Sequence, residues 1–236
     1  MTETTEDFLL GGRVRLEQPA VGLRAAIDAV LLAAAIPARA PEAVLELGCG
    51  TGAALLCLAA RVPGLALHGV ELDGGLAEMA RRNAGGLGAS IVAGDIRGAL
   101  PACRHAFANP PYWPGGSASP IALRRNAAHE AEAGLEDWAG ALARGLVLRG
   151  TASMILPAAR FGQAAAALRG AGCGSLTMLP LWPRAGVAAK RVILQAIKGG
   201  RGPDRLLPGL VLHEADGSFT AAAEAVLRHA QALPQG

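Results

Sequence analysis

The 236-residue sequence predicts an α/β fold: a mostly parallel sheet with helices on both faces and an antiparallel hairpin at one edge. Three observations carry the prediction. Short apolar runs alternate with helical stretches from Pro41 to Leu168, the rhythm of βαβ units. Glycine or a polar residue closes the first four runs, at Gly48, Glu71, Gly94-Asp95 and Asn109, so chemistry gathers at the carboxyl ends of strands. The last two runs, Leu176 to Leu181 and Arg191 to Ile197, lack a helix of useful length between them and are expected to pair as a hairpin joined by Trp182 to Ala189.

Residues 1–12 read as a flexible leader ending in Gly11-Gly12, Val14 to Leu16 as a short strand, and Pro19 to Gly22 as a turn. A helix from about Ala25 to Ala35 is stopped by Pro37. Strands at Ala43 to Leu47, Leu65 to Leu72, Ala89 to Ala93 and His105 to Ala108 alternate with helices at Ala53 to Val62 and Leu76 to Ala84. Leu135 to Leu148 has helical periodicity, Thr151 to Leu156 is a strand and Ala158 to Leu168 a helix. The tail from Leu206 adds a short strand, a turn at Asp216-Gly217 and a helix from about Thr220 to Leu233. With no repeat and no low-complexity linker, the chain reads as one globular unit: residues 1–40 an N-terminal extension capping the site, 41–236 the main domain.

Composition excludes several classes. At 52% hydrophobic and 17% charged the chain has the apolar mass for a core, which excludes disorder for most of it. The most lipophilic run, Ala29 to Ile36, is bounded by Asp28 and Pro37 and is too short to span a bilayer. The acidic, polar start from Met1 to Asp7 is not a signal peptide. Cysteines 49, 57, 103 and 173 include no CxxC pair, so neither a zinc site nor a disulfide framework is expected, and a reduced, cytoplasmic protein is. The net charge of +3 permits a polyanionic partner without arguing for one.

Four segments carry candidate chemistry. In Glu46-Leu47-Gly48-Cys49-Gly50-Thr51-Gly52, glycines let a ligand approach the backbone where a strand ends and a helix begins. Gly48, Gly50 and Ala53 also fit a dinucleotide pattern, so a nicotinamide reading competes at this point. Glu71-Leu72 ends the next strand about 20 residues on, where a carboxylate accepts from ribose hydroxyls. Asp95-Ile96 closes the third, placed to meet an adenine amino group.

The fourth segment, Asn109-Pro110-Pro111-Tyr112, decides between the readings. The prolines fix the backbone, and the Asn109 side-chain oxygen and the Pro110 carbonyl can accept both hydrogens of a planar NH2 group. Tyr112 offers an aromatic face for a flat substrate. Accepting both N–H bonds away from water exposes a lone pair otherwise delocalised into the ring. The electrophile this chemistry needs is the methyl of S-adenosylmethionine (SAM), which requires placement in line and no metal. A hydride-transfer enzyme has no use for the tetrapeptide.

VLELGCGTG, VELD, GD and NPPY in this order resemble the SAM-dependent amino-methyltransferases of the Rossmann-like class. FLLGGRVRLEQP, GLRAAIDAVLLAAAIP and LHEADGSFTAAAEAVLRHA extend the similarity over nearly the whole chain, to the bacterial family that methylates N6 of adenine 37 in valine tRNA. The resemblance implies a class I, seven-stranded sheet with its last strand antiparallel, SAM as cofactor and tRNA as partner. It implies that Glu46, Gly48, Cys49, Gly50 and Gly52 line the cofactor loop. Glu71 and Leu72 would then meet the ribose, Asp95 and Ile96 the cofactor adenine, and Asn109 to Tyr112 the target amine. Arg24 and Asp28 match a segment lying over the cofactor in that family; Leu23 stands where the family often has an aromatic. Candidate RNA contacts are Arg124 and Arg125 after NPPY, and Trp182, Arg184, Lys190 and Arg191 in the hairpin. Gly115 to Pro120 reads as a loop able to close over substrate. Two alternatives stay open: a methyltransferase acting on a protein glutamine amide, and a non-catalytic SAM- or RNA-binding module. The sequence leaves monomer or homodimer open.

Overall fold

Val44, Leu45 and Leu47 of the strand Ala43–Leu47 are all fully buried, although successive side chains point to opposite sides. A strand buried on both faces belongs in the middle of a parallel sheet covered by helices. The computed structural model, which describes residues 3–21, 27–111 and 133–234, has that arrangement. In chain order the strands are β1 (Thr4–Leu9), β2 (Val14–Pro19), β3 (Ala43–Leu47), β4 (Ala66–Glu71), β5 (Ser90–Ala93), β6 (Cys103–Ala108), β7 (Leu146–Pro157), β8 (Cys173–Trp182), β9 (Arg191–Lys198), β10 (Arg205–Leu206) and β11 (Leu210–Val211). The helices are α1 (Ile27–Ala35), α2 (Ala53–Arg61), α3 (Gly74–Asn83), α4 (Leu135–Arg144), α5 (Phe161–Gly170) and α6 (Ala221–His229).

The main sheet runs β5-β4-β3-β6-β7-β9-β8, with the two-residue strands β10 and β11 added along β8. Pairs from β5 through β7 are parallel; β9 is antiparallel to both β7 and β8. The expected seven-stranded sheet with an antiparallel hairpin is present, with β9 inserted between β7 and β8 so that β8 is the outer strand of the pair. β8 therefore runs the same way as β7, and Trp182 lies at the carboxyl end shared by the parallel strands.

Two apolar layers cover the sheet. One joins α1, α2, α3 and α6 with Leu16 of β2; the other joins α4 and α5. Thr220 begins α6 as a cap, its hydroxyl accepting from the Ala223 N–H at 3.0 Å. Leu233 N–H reaches the Ala34 carbonyl at 2.9 Å, tying the chain end to α1.

Three boundaries depart from the sequence reading. Residues 4–9 are a strand rather than a flexible leader, zipped to β2 from Thr4↔Pro19 to Leu9↔Val14. Their own alternation is weak because most of them are exposed; the partner strand, with Leu16 fully buried, holds them. The helix expected to reach Leu148 ends at Arg144. Gly145 follows, where a Cβ would stand 2.5 Å from Leu45 Cδ2, and β7 starts at Leu146 instead of Thr151. The final helix stops at His229, because Ala230 takes a left-handed conformation at φ 57°.

Phe107, in the centre of β6, is among the largest fully buried side chains. Phe107→Ala is expected to lower unfolding free energy by about 3–5 kcal/mol, the usual cost of a phenylalanine-sized core cavity, read by urea denaturation.

Candidate active site

Register alone assembles the four sequence segments. Leu47 pairs with both Val70 and Ala108, and Glu71 pairs with Ala93. The segments that follow, 48–52, 72–73, 94–95 and 109–111, therefore emerge side by side at the carboxyl edge of β3, β4, β5 and β6. In an open α/β sheet this is the edge that binds ligands.

Gly48, Gly50 and Gly52 have φ of 62°, 54° and 86°. At Gly48 an added Cβ would lie 2.7 Å from the Trp138 ring, and at Gly52 it would meet Ala80 Cβ at 3.5 Å. At Gly50 it would meet nothing within 4 Å. The loop is thus packed from α4 on one side and α3 on the other, and open at its middle glycine.

Two carboxyl groups brace this loop. Buried Glu46 accepts from the Leu55 N–H at 2.9 Å, occupying one of the donors at the start of α2. Glu71 accepts from Gly50 N–H at 2.8 Å through one oxygen and from Asp73 N–H at 2.9 Å through the other. Burial raises both acids above the ordinary carboxylate range; for Glu46 the rise is large and the Glu71 charge adds to it. The Cys49 thiol is pushed up by burial and by both acids, so it is held neutral and is no nucleophile.

Leu72 is exposed at 44%, an apolar surface beside Glu71, whereas the Ile96 side chain is buried in the core. Asp95 is engaged: Arg97 binds it through Nε at 3.0 Å and Nη2 at 2.6 Å, which holds its carboxyl down to about 2. Asn109 and Pro111 are half-buried and Pro110 is buried. Arg24, Tyr112, Arg124, Arg125 and the Gly115 to Pro120 loop lie outside the described residues.

Asp28 and Arg191, read from sequence in different roles, pair with each other at 3.1 Å. Arg191 opens β9 opposite Pro157 at the end of β7, so the pair joins α1 to the hairpin at the site end of the sheet. Trp182 is half-buried and its ring N–H donates to the Pro208 carbonyl at 3.0 Å, while Arg184 and Lys190 are exposed. The structure thus separates the hairpin candidates from the glycine loop by the width of β6 and β7, with β9 also intervening for Trp182.

Sequence reasoning missed Trp138, Arg97 and Asn83. Trp138 is the one aromatic in LEDWAGALAR, a helix otherwise filled with small and aliphatic side chains, and that contrast was the available signal. Asn83 donates to the Thr51 carbonyl inside the glycine loop at 2.9 Å. Arg97 stands two residues beyond Asp95, where only the fold shows the side chain turning back. Among the described residues no group of three His, Cys, Asp or Glu could hold a metal ion, and no helix is long and apolar enough to cross a membrane.

The open face at Gly50 and the exposed Leu72 beside it lie at the strand edge where the methyl donor SAM is expected to bind.

Residues 44–108 match a family described as a methyltransferase domain. A 4-amino-L-phenylalanine/4-methylamino-L-phenylalanine methyltransferase of Streptomyces pristinaespiralis is 38% identical over 110 residues, 44% of this chain. The match spans 36% of that relative's length. A tRNA1(Val) (adenine(37)-N6)-methyltransferase of Aeromonas hydrophila is 28% identical over 205 residues, 84% of this chain and 86% of that one. Among solved structures, a predicted O-methyltransferase, Atu636 from Agrobacterium tumefaciens, aligns with a TM-score of 0.74 at 25% identity, covering 89% of this chain and 99% of that chain. The fold is the Rossmann-like methyltransferase fold.

The raised acids have a consequence for stability. A carboxyl whose folded pKa lies above its unfolded value binds its proton more tightly when folded, so its contribution declines as pH rises from the unfolded value toward the folded one. Glu46→Gln keeps an oxygen for the Leu55 N–H and removes the ionisation. The variant is expected to melt close to wild type at about pH 5 and above it at about pH 8, read by thermal denaturation across that range.

Proposed function

We propose that this chain, which carries a SAM-dependent methyltransferase domain, methylates an exocyclic amine on a conjugated ring, and that its target is N6 of adenine in tRNA, position 37 of valine tRNA by likeness to its relative. The observation that carries the reading is the position of Asn109-Pro110-Pro111. It leaves β6 directly after Ala108, whose partner Leu47 leads into the glycine loop. An amine held there lies next to the ligand held by residues 48–52.

When bound, SAM supplies an electrophilic methyl group: the amine nitrogen forms the new N–C bond, the S–C bond breaks, and the nitrogen loses a proton. The chain's part is placement and polarisation. Glu71, with one lone pair left on each oxygen beyond the backbone bond it already accepts, takes the ribose hydroxyls. Leu72 packs against the flat base of the cofactor. The Asn109 side-chain oxygen and the Pro110 carbonyl accept the two N–H bonds of the target, and Tyr112 stacks on its ring. Residues 1–40 cap the cofactor side, with Asp28 near the mouth through its pair with Arg191.

Support for tRNA comes from the Aeromonas relative, matched over most of both chains, and from the exposed Arg184 and Lys190 at the site end. A second reading, a small aromatic amine, is favoured by the Streptomyces relative, whose named substrate also bears its amine on an aromatic ring. Both readings use the same two acceptors.

Unmodified total RNA and 4-aminophenylalanine, each incubated with the protein and SAM, separate the two readings by mass spectrometry of nucleosides and amino acids. N6-methyladenosine confined to the tRNA fraction is the expected product; methylation of the arylamine alone would replace the reading. Asn109→Ala is expected to bind S-adenosylhomocysteine nearly as wild type and to lose about 100-fold or more in kcat, the scale of a lost transition-state hydrogen-bonding group.

A further inference from the structure

The N-terminal hairpin β1–β2 forms a sheet of its own, separate from the main one. It nevertheless reaches the glycine loop through one side chain. Asn83, the last residue of α3, accepts from the Glu17 N–H of β2 at 2.8 Å and donates to the Glu17 carbonyl at 2.9 Å. Its amide also donates to the Thr51 carbonyl at 2.9 Å. The carboxamide thus uses its oxygen and both N–H bonds, two of the three bonds on the hairpin and the third on the loop. Thr51 is buried between Gly50 and Gly52, and its carbonyl sets the orientation of the peptide leading into Gly52. One turn back on α3, Ala80 packs on Gly52, so α3 already lies against the loop. Next to Asn83, Arg82 pairs with the Glu17 side chain at 3.1 Å on the exposed side.

We propose that Asn83 is a positioning residue that couples the docked hairpin to the glycine loop, making the hairpin part of the cofactor site although none of its residues lies in that loop. The inference rests on reading residues 48–52 as the cofactor loop. Loop glycines with positive φ have many alternative conformations, and the Asn83–Thr51 bond removes some of them before ligand arrives.

Two measurements on the full chain test it. Isothermal titration with S-adenosylhomocysteine compares wild type, Asn83→Ala, Asn83→Asp and Arg82→Ala. Hydrogen exchange follows the loop amides of Cys49, Gly50 and Gly52, which bond to the Val70 carbonyl, Glu71 and the Cys49 carbonyl. Both Asn83 variants lose the donors to Thr51 and Glu17, and are expected to weaken binding about 3- to 10-fold and to speed loop exchange. The KM for SAM rises while kcat at saturation stays within about twofold. Arg82→Ala breaks only the outer ion pair and is expected to change neither readout. Unchanged exchange and affinity in the Asn83 variants, or equal effects from Arg82→Ala, would overturn the coupling. So would failure of both Asn83 variants to fold, which would make Asn83 a support of the whole fold. Absence of binding by wild type would defeat the cofactor reading, while the exchange experiment would still judge the clasp.

Discussion

The chain has to pass from the end of β3 into α2 within a few residues and still leave backbone open to a ligand, and the rest of the molecule is arranged around that turn. Three glycines supply left-handed conformations that other residues adopt only at a cost. A loop so permissive is well defined only if its surroundings restrain it. Trp138 of α4 closes it from one face of the sheet, and Ala80 and Asn83 of α3 from the other. Glu71 takes its Gly50 N–H from the neighbouring strand, and Glu46 fixes the first turn of the helix beyond it. Both helical layers and the parallel register of β3 and β4 therefore converge on five residues.

The restraint carries an electrostatic cost. Glu46 and Glu71 are both buried, and each would ionise more easily in water. Their proximity makes a second negative charge harder to place than the first. A methyl donor that is itself a cation, on the proposed function, relieves this repulsion on binding and gains affinity from it.

The parallel half of the fold was legible because central strands must be apolar on both faces, as at Ala43–Leu47, and because each such run ends in a residue suited to a strand-end site. The site segments were legible for the same reason: once the strands are in order, register brings Gly48, Glu71, Asp95 and Asn109 to one edge. What the sequence hid depends on partners distant along the chain. Strand β1 carries little alternation and is fixed by β2. Asp28 and Arg191 are far apart in sequence and meet only because β9 inserts beside β7. Arg97 folding onto Asp95 is local, but nothing in a Gly-Asp-Ile-Arg string distinguishes a paired carboxylate from an open one.

The Asp28–Arg191 pair also bears on how a nucleic acid would be held. A cation paired with a carboxylate contributes little long-range attraction, so the described hairpin offers a polyanion chiefly Arg184 and Lys190. The formal net charge of +3 is a mild excess that permits a polyanionic partner without arguing for one. On the proposed function, an RNA substrate is read through the base itself, by the acceptors of Asn109 and Pro110 that follow β6. An unpaired anticodon-loop base can enter such a site at low cost, whereas a base in a duplex must first be extracted against its stacking. On that reading an accessible ring amine, presented by an unpaired base, is what selects the substrate.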